Sequence, residues 1–408
     1  MTWDYWESQK AIAREALPIL EQYGLVYLAM EERTGKSGTA MYMVEQLPVQ
    51  RASIITKKKA MEGWQEALGG LPHEKVYSLI NYHSVSKLVG RHQLAILDEA
   101  HANVSGYPKK SVLWKEVHSK VYGLPIIYSS ATPHAQGYQL LFNQFALSKW
   151  SPWRKYEDYY EWFKEYAVRD KDGKLPMTYI GAQQQAIDYT QVQEARIKEE
   201  IKHLFVSYTR AELGFLQEPK DKLHYVELKP HIKAIYNQIV DHKVLSFTHS
   251  ETGKDYTLVC DSPAKLRYAL HMLEGGTLKI GDEHINLGNN EKADYIYKTW
   301  GDSPNLVIMY HYIADGIKLN RMFKQARILQ GTTYAEGVDL SMYRDLVIYS
   351  QDFSTAKHTQ RRARQANRSR EDDITVHYIL VKKGASEKAY RTVSINKKNY
   401  VDTVFERI

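Results

Sequence analysis

Two short stretches of this chain combine residue types that do phosphate chemistry: Arg33-Thr34-Gly35-Lys36-Ser37 and, further along, Leu97-Asp98-Glu99-Ala100-His101. A glycine ahead of Lys-Ser where a helix begins lets backbone N–H groups turn inward around an anion. The lysine ammonium can then hold β- and γ-phosphates, and the serine hydroxyl can ligate magnesium. The general phosphate-loop pattern has a first glycine five residues before Gly35, where this chain has Met30. Asp98 and Glu99 close an apolar run, so one carboxylate can reach a magnesium shell while its neighbour faces the water to be activated. Each stretch alone has an ordinary explanation, a strand-to-helix turn or a solvated acidic loop. Together they point to nucleoside-triphosphate hydrolysis. Thr34, Gly35, Lys36 and Ser37 are the candidate nucleotide contacts, Ser37 and Asp98 the magnesium ligands, and Glu99 the base.

A third component lies near the other end. Five arginines fall within residues 360–370. A guanidinium supplied across a cleft stabilises charge developing on a transferred phosphoryl group. A basic run is also commonly a solvated face or a loose nucleic-acid patch.

These residues need elements to hold them. Short apolar or β-rich runs at 25–28, 53–56, 76–80, 94–97 and 125–128 alternate with helix-length connections, which predicts a parallel sheet covered on both faces. Residues 138–204 change character. Trp150, Trp153, Tyr159, Tyr160, Trp162 and Phe163 are followed by a polar helical run, so a helical insertion is expected there, with its aromatics packing. A linker is expected around 216–220. Alternation then restarts at 223–228 and continues at 306–310, 327–330, 346–349 and 374–380. The expected division is 1–218 and 219–408, each an α/β unit.

The bulk numbers agree with a globular protein. At 408 residues the chain exceeds one compact core, and 43% hydrophobic with 25% charged residues is ordinary. No apolar run approaches the roughly 20 residues of a membrane span. The first residues show neither a basic head nor an apolar segment, so a cytoplasmic location is expected. Cys260 is the only cysteine, which excludes an internal disulfide or a cysteine-based zinc site. A net charge of +7 suits a polyanionic partner without establishing one.

On these residues the chain resembles the superfamily 2 helicases and translocases, within them the Swi2/Snf2-like branch that includes chromatin remodellers and small phage helicases. Motif I is similar to residues 31–37, motif II to Asp98-Glu99-Ala100-His101, motif III to Ser130-Ala131-Thr132-Pro133, motif V to residues 331–340 and motif VI to residues 360–368. Weaker resemblances fall in the same order: Gln9, then Lys57 and Lys58 followed by Trp64, then Asn81-Tyr82, then Tyr310-His311-Tyr312. The resemblance covers nearly the whole chain. It implies two RecA-like, doubly wound parallel-sheet lobes, with ATP and Mg2+ in the cleft and a helical insertion in or after the first lobe.

It further implies that Gln9 reads adenine, that Gly337 and Asp339 approach the ribose or the polynucleotide, and that His101, Ser130 and Thr132 couple nucleotide state to the track. Gln360, Arg364 and Arg368 are the implied catalytic contribution of the second lobe. Lys57, Lys58, Thr332 and Thr333 would touch phosphates, and Tyr82 would stack on a base. Two departures stand out. Arg33 occupies a position where the family commonly has glycine, and Asn367 stands where the family spacing puts its second arginine, so Arg368 or Arg361 would substitute. The implied function is an ATP-driven motor on nucleic acid, DNA rather than RNA, monomeric as purified, off the membrane, and in the host cytoplasm if phage-encoded. An RNA helicase and a non-motor ATP switch that clamps nucleic acid are the alternatives.

Overall fold

The computed structural model describes residues 4–134, 137–180, 184–215, 217, 219–249, 253–331, 340–366 and 372–395. The chain divides into two compact units, Met1–Gly214 and Phe215–Ile408.

In the first unit, strands β1 (Leu25–Leu28), β2 (Arg51–Thr56), β3 (Val76–Asn81), β4 (Leu94–Asp98) and β5 (Ile126–Ser129) precede a hairpin, β6 (Met177–Ile180) with β7 (Gln184–Ile187), and a short β8 (Phe205–Val206). Six of these form one sheet in the order β3-β2-β4-β5-β1-β8, with every pairing parallel. Every residue of β1 and β4 is buried, the signature of strands covered on both faces. Helix α1 (Glu7–Tyr23) puts Ile12, Ala13, Ala16 and Leu20 on its buried side at helical spacing. Helix α2 (Lys36–Gln46) starts directly after the loop that leaves β1, and α3 (Met61–Gly70) follows β2.

Residues 138–204 contain helices Leu141–Phe145, Tyr159–Tyr166 and Glu194–Ile201, but also the β6–β7 hairpin, which the expectation of a purely helical insertion missed. The runs Met-Thr-Tyr-Ile and Gln-Gln-Ala-Ile are too short to display a period, and antiparallel pairing rather than propensity defines them. The segment is built into the first unit's core. Trp153, Tyr159, Trp162, Phe163 and Tyr166 are buried in one cluster with Tyr27, Leu97 and Tyr128 of the sheet. The Tyr27 ring stacks on Tyr128 at 5.2 Å and on Phe205 at 5.0 Å.

The second unit opens with β9 (Lys220–Val226). Two hairpins follow, β10 (Val244–Thr248) with β11 (Asp255–Val259) and β12 (Thr277–Ile280) with β13 (Glu283–Asn286), then β14 (Leu306–Tyr310), β15 (Arg327–Gln330), β16 (Asp345–Ile348) and β17 (Thr375–Val381). Its main sheet is ordered β15-β14-β16-β17-β9 and is again wholly parallel. Strand residues alternate between two cores. Leu306, Ile308 and Val347 face one, and Val307, Met309, Leu346 and Ile348 face the other, so both faces are covered. Both units are therefore α/β with parallel-sheet cores.

Candidate functional site

In open parallel sheets, ligands bind outside the carboxyl ends of the strands. In the first unit, register puts Leu28, Ser129 and Asp98 in one row at that end of the adjacent strands β1, β5 and β4. The next residues lead into three loops. Residues 29–35 run to α2, Glu99 follows Asp98, and Ser130 follows Ser129. Thr56 ends β2, the neighbour of β4. Two backbone hydrogen bonds tie the loop bases together, Glu99 N to Ser129 O at 2.8 Å and Ser130 N to Leu28 O at 3.2 Å.

The loop before α2 is a tight turn. Gly35 caps the helix in the left-handed region, φ +85°, and Arg33 is left-handed at φ +65°. Arg33 thus adopts the conformation that glycine takes without steric cost. Lys36 Nζ donates to the carbonyls of Met30 (2.9 Å) and Glu31 (2.8 Å), so the ammonium lies within the loop's curve. Thr34 Oγ1 donates to Glu31 O at 2.7 Å. Ser37 sits half-buried in the first turn of α2. Gln9, buried, braces this turn from α1. Its Nε2 donates to Gly35 O at 3.1 Å and its Oε1 accepts from Trp6 N at 2.8 Å. A Cβ on Gly35 would fall 2.6 Å from Gln9 Nε2, so only glycine leaves room for that contact.

Asp98 is buried, and its Oδ2 accepts from Thr56 Oγ1 at 2.7 Å and Trp64 Nε1 at 3.0 Å. Oδ1 has no hydrogen-bond partner among the described residues. Burial, then the charge of Glu99, pushes the Asp98 carboxyl up, while Trp64, Thr56 and the charge of Lys36 pull it back. Glu99 is left-handed at φ +51°, a conformation disfavoured for a residue with a Cβ and concentrated at functional sites. One of its oxygens, Oε2, accepts from Ser130 Oγ at 3.1 Å and lies 3.2 Å from His101 Nδ1. Ser130 Oγ also meets His101 Nδ1 at 2.9 Å and accepts from Thr132 N at 3.0 Å. Glu99, His101, Ser130 and Thr132 thus form one connected polar group. The residues present fit a nucleotide with magnesium: a lysine and a glycine turn at a helix start, a hydroxyl on the first turn, and a buried carboxylate with one oxygen unengaged.

Other sequence-derived candidates fare differently. Lys58 is exposed and Lys57 half-buried just after β2. Tyr82 is a correction: at 1% exposure it cannot stack on a base, and its hydroxyl instead donates to Asp98 O at 3.0 Å. An aromatic in a short polar segment gave no local sign of which way it faces. In the second unit, Gln360 lies in helix Thr355–Arg362, and Arg364 in the turn Ala363–Gln365 that follows. Arg361, a possible stand-in for Asn367, is buried and paired with Asp352 at 2.9 Å, which engages it inside the unit. Thr332, Thr333, Gly337, Asp339 and Arg368 lie outside the described residues.

Nothing local to Thr56 marks it as a partner of Asp98. The same holds for Arg210, whose backbone N–H donates to Glu31 Oε2 at 2.8 Å and whose guanidinium lies 3.7 Å from Glu31 and 3.6 Å from Glu32. Arg210 thereby pins the outer part of the loop before α2. Only a partner 179 residues away in sequence makes it meaningful.

No family model matches the sequence, and no curated protein matches it. Solved structures do match. The chain is similar to the Sulfolobus solfataricus SWI2/SNF2 ATPase core in complex with dsDNA, with 13% identity over 100% of this chain and 93% of that one and a TM-score of 0.44. It is similar also to the Sulfolobus solfataricus SWI2/SNF2 ATPase core domain, with 13% identity over 97% and 94% and a TM-score of 0.41. Neither likeness assigns a ligand or a role to a residue of this chain. Among the described residues, no helix is long and apolar enough to cross a membrane.

Proposed function

We propose that this protein is an ATP- and magnesium-dependent DNA translocase or helicase of the superfamily 2, Swi2/Snf2-like kind. The observation that carries the reading is the convergence, at one end of three adjacent parallel strands, of the Gly35-Lys36-Ser37 turn, the Asp98-Glu99 pair and Ser130. Lys36 and the amides at the start of α2 bind the triphosphate, with Thr34 in the same turn and Gln9 on the adenine side. Ser37 and Asp98 would hold magnesium, which would supply neutralisation of the charge developing during phosphoryl transfer. Glu99, oriented by Ser130 and His101, takes the proton of the attacking water. The same hydrogen bonds let a change at the phosphate alter Ser130 and Thr132, which fits their proposed coupling role.

Arg364 and Arg368, with Gln360, are the second unit's proposed contribution to phosphoryl transfer, and Gly337 and Asp339 its contribution to the ribose or the track. Lys57, Lys58, Thr332 and Thr333 contact phosphates of the polynucleotide, giving salt-sensitive, largely sequence-independent binding. The boundary between lobes is proposed near residue 218, and the protein is proposed to act as a cytoplasmic monomer in a phage or mobile-element setting.

The test is ATP hydrolysis by the purified chain alone and with duplex DNA, single-stranded DNA and RNA. DNA is expected to raise the rate, and replacement of Lys36 by alanine to abolish it. A rate raised by RNA alone would make the protein an RNA helicase. No hydrolysis with any polynucleotide would overturn the reading. Displacement of a triplex strand without unwinding of a forked duplex would identify a pure translocase.

A further inference from the structure

Residues that the nucleotide reading leaves unused build a pair of adjoining cavities in the second unit. The larger, about 710 Å³, lies between helix Pro230–His242, the start of helix Pro263–Glu274 and the segment entering helix Ala385–Tyr390. The smaller, about 510 Å³, shares Tyr236, Asn237 and Lys383 with it. These volumes are of the size that receives a ligand or a partner's side chains.

The larger cavity has an apolar floor and the pair has a cationic rim. Leu266, Leu270 and Ala385 are buried at the floor. Lys243, Lys383 and Lys388 line the larger cavity, and Lys233 and Lys382 join Lys383 around the smaller. Two carboxylates line them, Glu227 and Asp261, and Asp261 is already held by Lys265 at 2.8 Å. Among the described residues none of the five rim lysines makes an ion pair, although Lys243 Nζ donates to Val240 O, so five cations stand against two carboxylates in the lining of the pair.

Backbone geometry separates this rim from an ordinary basic surface. Lys243 and Lys383 both sit in the left-handed region, at φ +60° and +59°. Glycine would hold that conformation without the steric cost it carries for a residue with a Cβ. The loop bearing Lys382 and Lys383 is also fixed from within. The buried carboxylate of Glu274 accepts from the backbone N–H groups of Ala385 and Ser386, and Ser386 Oγ accepts from Val381 N at 3.0 Å. A rim held rigid before binding loses little freedom when a ligand arrives.

We propose that this paired cavity docks an acidic peptide segment of a partner protein, with a large apolar side chain on the floor and flanking carboxylates against the lysines. A polynucleotide backbone matches the charge but brings no apolar group to a recessed aliphatic floor, and base stacking calls for aromatic platforms, of which the larger cavity has only Tyr236. The proposal is independent of the nucleotide site.

The test uses the full-length protein and three probes: a fluorescein-labelled pool of short Asp/Glu peptides with one central Phe, the same pool with Asn/Gln in place of the acids, and a labelled DNA duplex. Anisotropy reads binding, and charge reversal at the rim reads its location. The acidic pool is expected to bind several-fold more tightly than the amide pool. The double variant Lys383→Glu, Lys388→Glu is expected to lose this binding while keeping the parent's melting temperature. Equal binding of both pools, or binding that survives the charge reversal, overturns the proposal. So does competition in which the duplex displaces the acidic pool from this face, which would assign the lysines to phosphates.

Discussion

The indole N–H of Trp64 donates to Asp98 Oδ2 at 3.0 Å, from a ring that is itself only 2% exposed. Thr56 donates to the same oxygen. Two donors on Oδ2 fix the rotation of the carboxylate and leave Oδ1 directed away from both. A buried carboxylate without such donors would be costly to keep charged. The two hydrogen bonds therefore bear on the charge of Asp98 as well as its orientation.

Replacing Trp64 with phenylalanine keeps most of the ring and removes one donor. Stability is expected to fall by about 1–2 kcal/mol, in keeping with loss of a hydrogen bond to a charged group that retains a second donor. Urea denaturation of the full chain measures this. Binding of a non-hydrolysable ATP analogue should also require more magnesium, while binding without magnesium stays unchanged. An unaltered magnesium midpoint would remove Trp64 from any positioning role.

The Glu99→Gln variant keeps the hydrogen-bond partners of the side chain and removes its basicity. ATP hydrolysis is expected to fall by roughly 10²–10⁴-fold, the range for loss of a general base, with ATP binding retained. Rapid-quench hydrolysis beside equilibrium nucleotide binding makes the comparison. Undiminished hydrolysis would exclude Glu99 as the base, and polynucleotide clamping that persists without hydrolysis would favour a switch over a motor.

The phosphate turn gives a contrast in sign. Alanine at Gly38, inside α2, would gain up to about 1 kcal/mol from helix propensity alone. Its Cβ, however, would fall 2.9 Å from Gln9 Cδ. Gly38→Ala is therefore expected to destabilise, and Gln9→Ala in the same chain to reverse much of that loss. Thermal denaturation of the two variants decides. A stabilising Gly38→Ala would show that Gln9 does not pack against α2.

Acid should weaken the second unit through His224. Its ring meets Tyr295 Oη at 2.8 Å and His377 Nδ1 at 2.9 Å, and burial, with the neighbouring charges of His377 and Lys222, lowers its pKa to about 4 from 6.5. The unfolded chain takes up this proton more readily than the folded one, so the contribution is complete above pH 6.5 and is lost as pH falls through about 4. His358, lowered from 6.5 to about 3 by burial beside Arg361 and Arg362, adds a loss of the same sign that begins in the same range and continues down to about pH 3. Asp315, raised to about 6 by burial, opposes it by favouring the folded state as it protonates. His224→Gln is expected to flatten the fall of melting temperature between pH 6.5 and 4. Parallel curves for parent and variant would sink this account.

The phosphate turn and the acidic pair were legible because each is local. Gly35, Lys36 and Ser37 lie on one strand-to-helix turn, and Asp98-Glu99 on one strand end, so neighbours in sequence are neighbours in space. Buried parallel strands betray themselves as apolar runs for the same reason, and Leu94-Ala95-Ile96-Leu97 needed no partner to be recognised. What joins these pieces is not local. Trp64 and Thr56 reach Asp98 across 34 and 42 residues, Arg210 reaches Glu31 across 179, and the aromatics after residue 138 fill the core beneath β1 and β5. Tyr82 turned inward for the same reason, toward the end of β4. The chain by itself determined which chemical groups exist and which short turns carry them. Only the order in which the strands pair decided which groups meet, because that order is set by burying apolar faces between elements far apart in sequence.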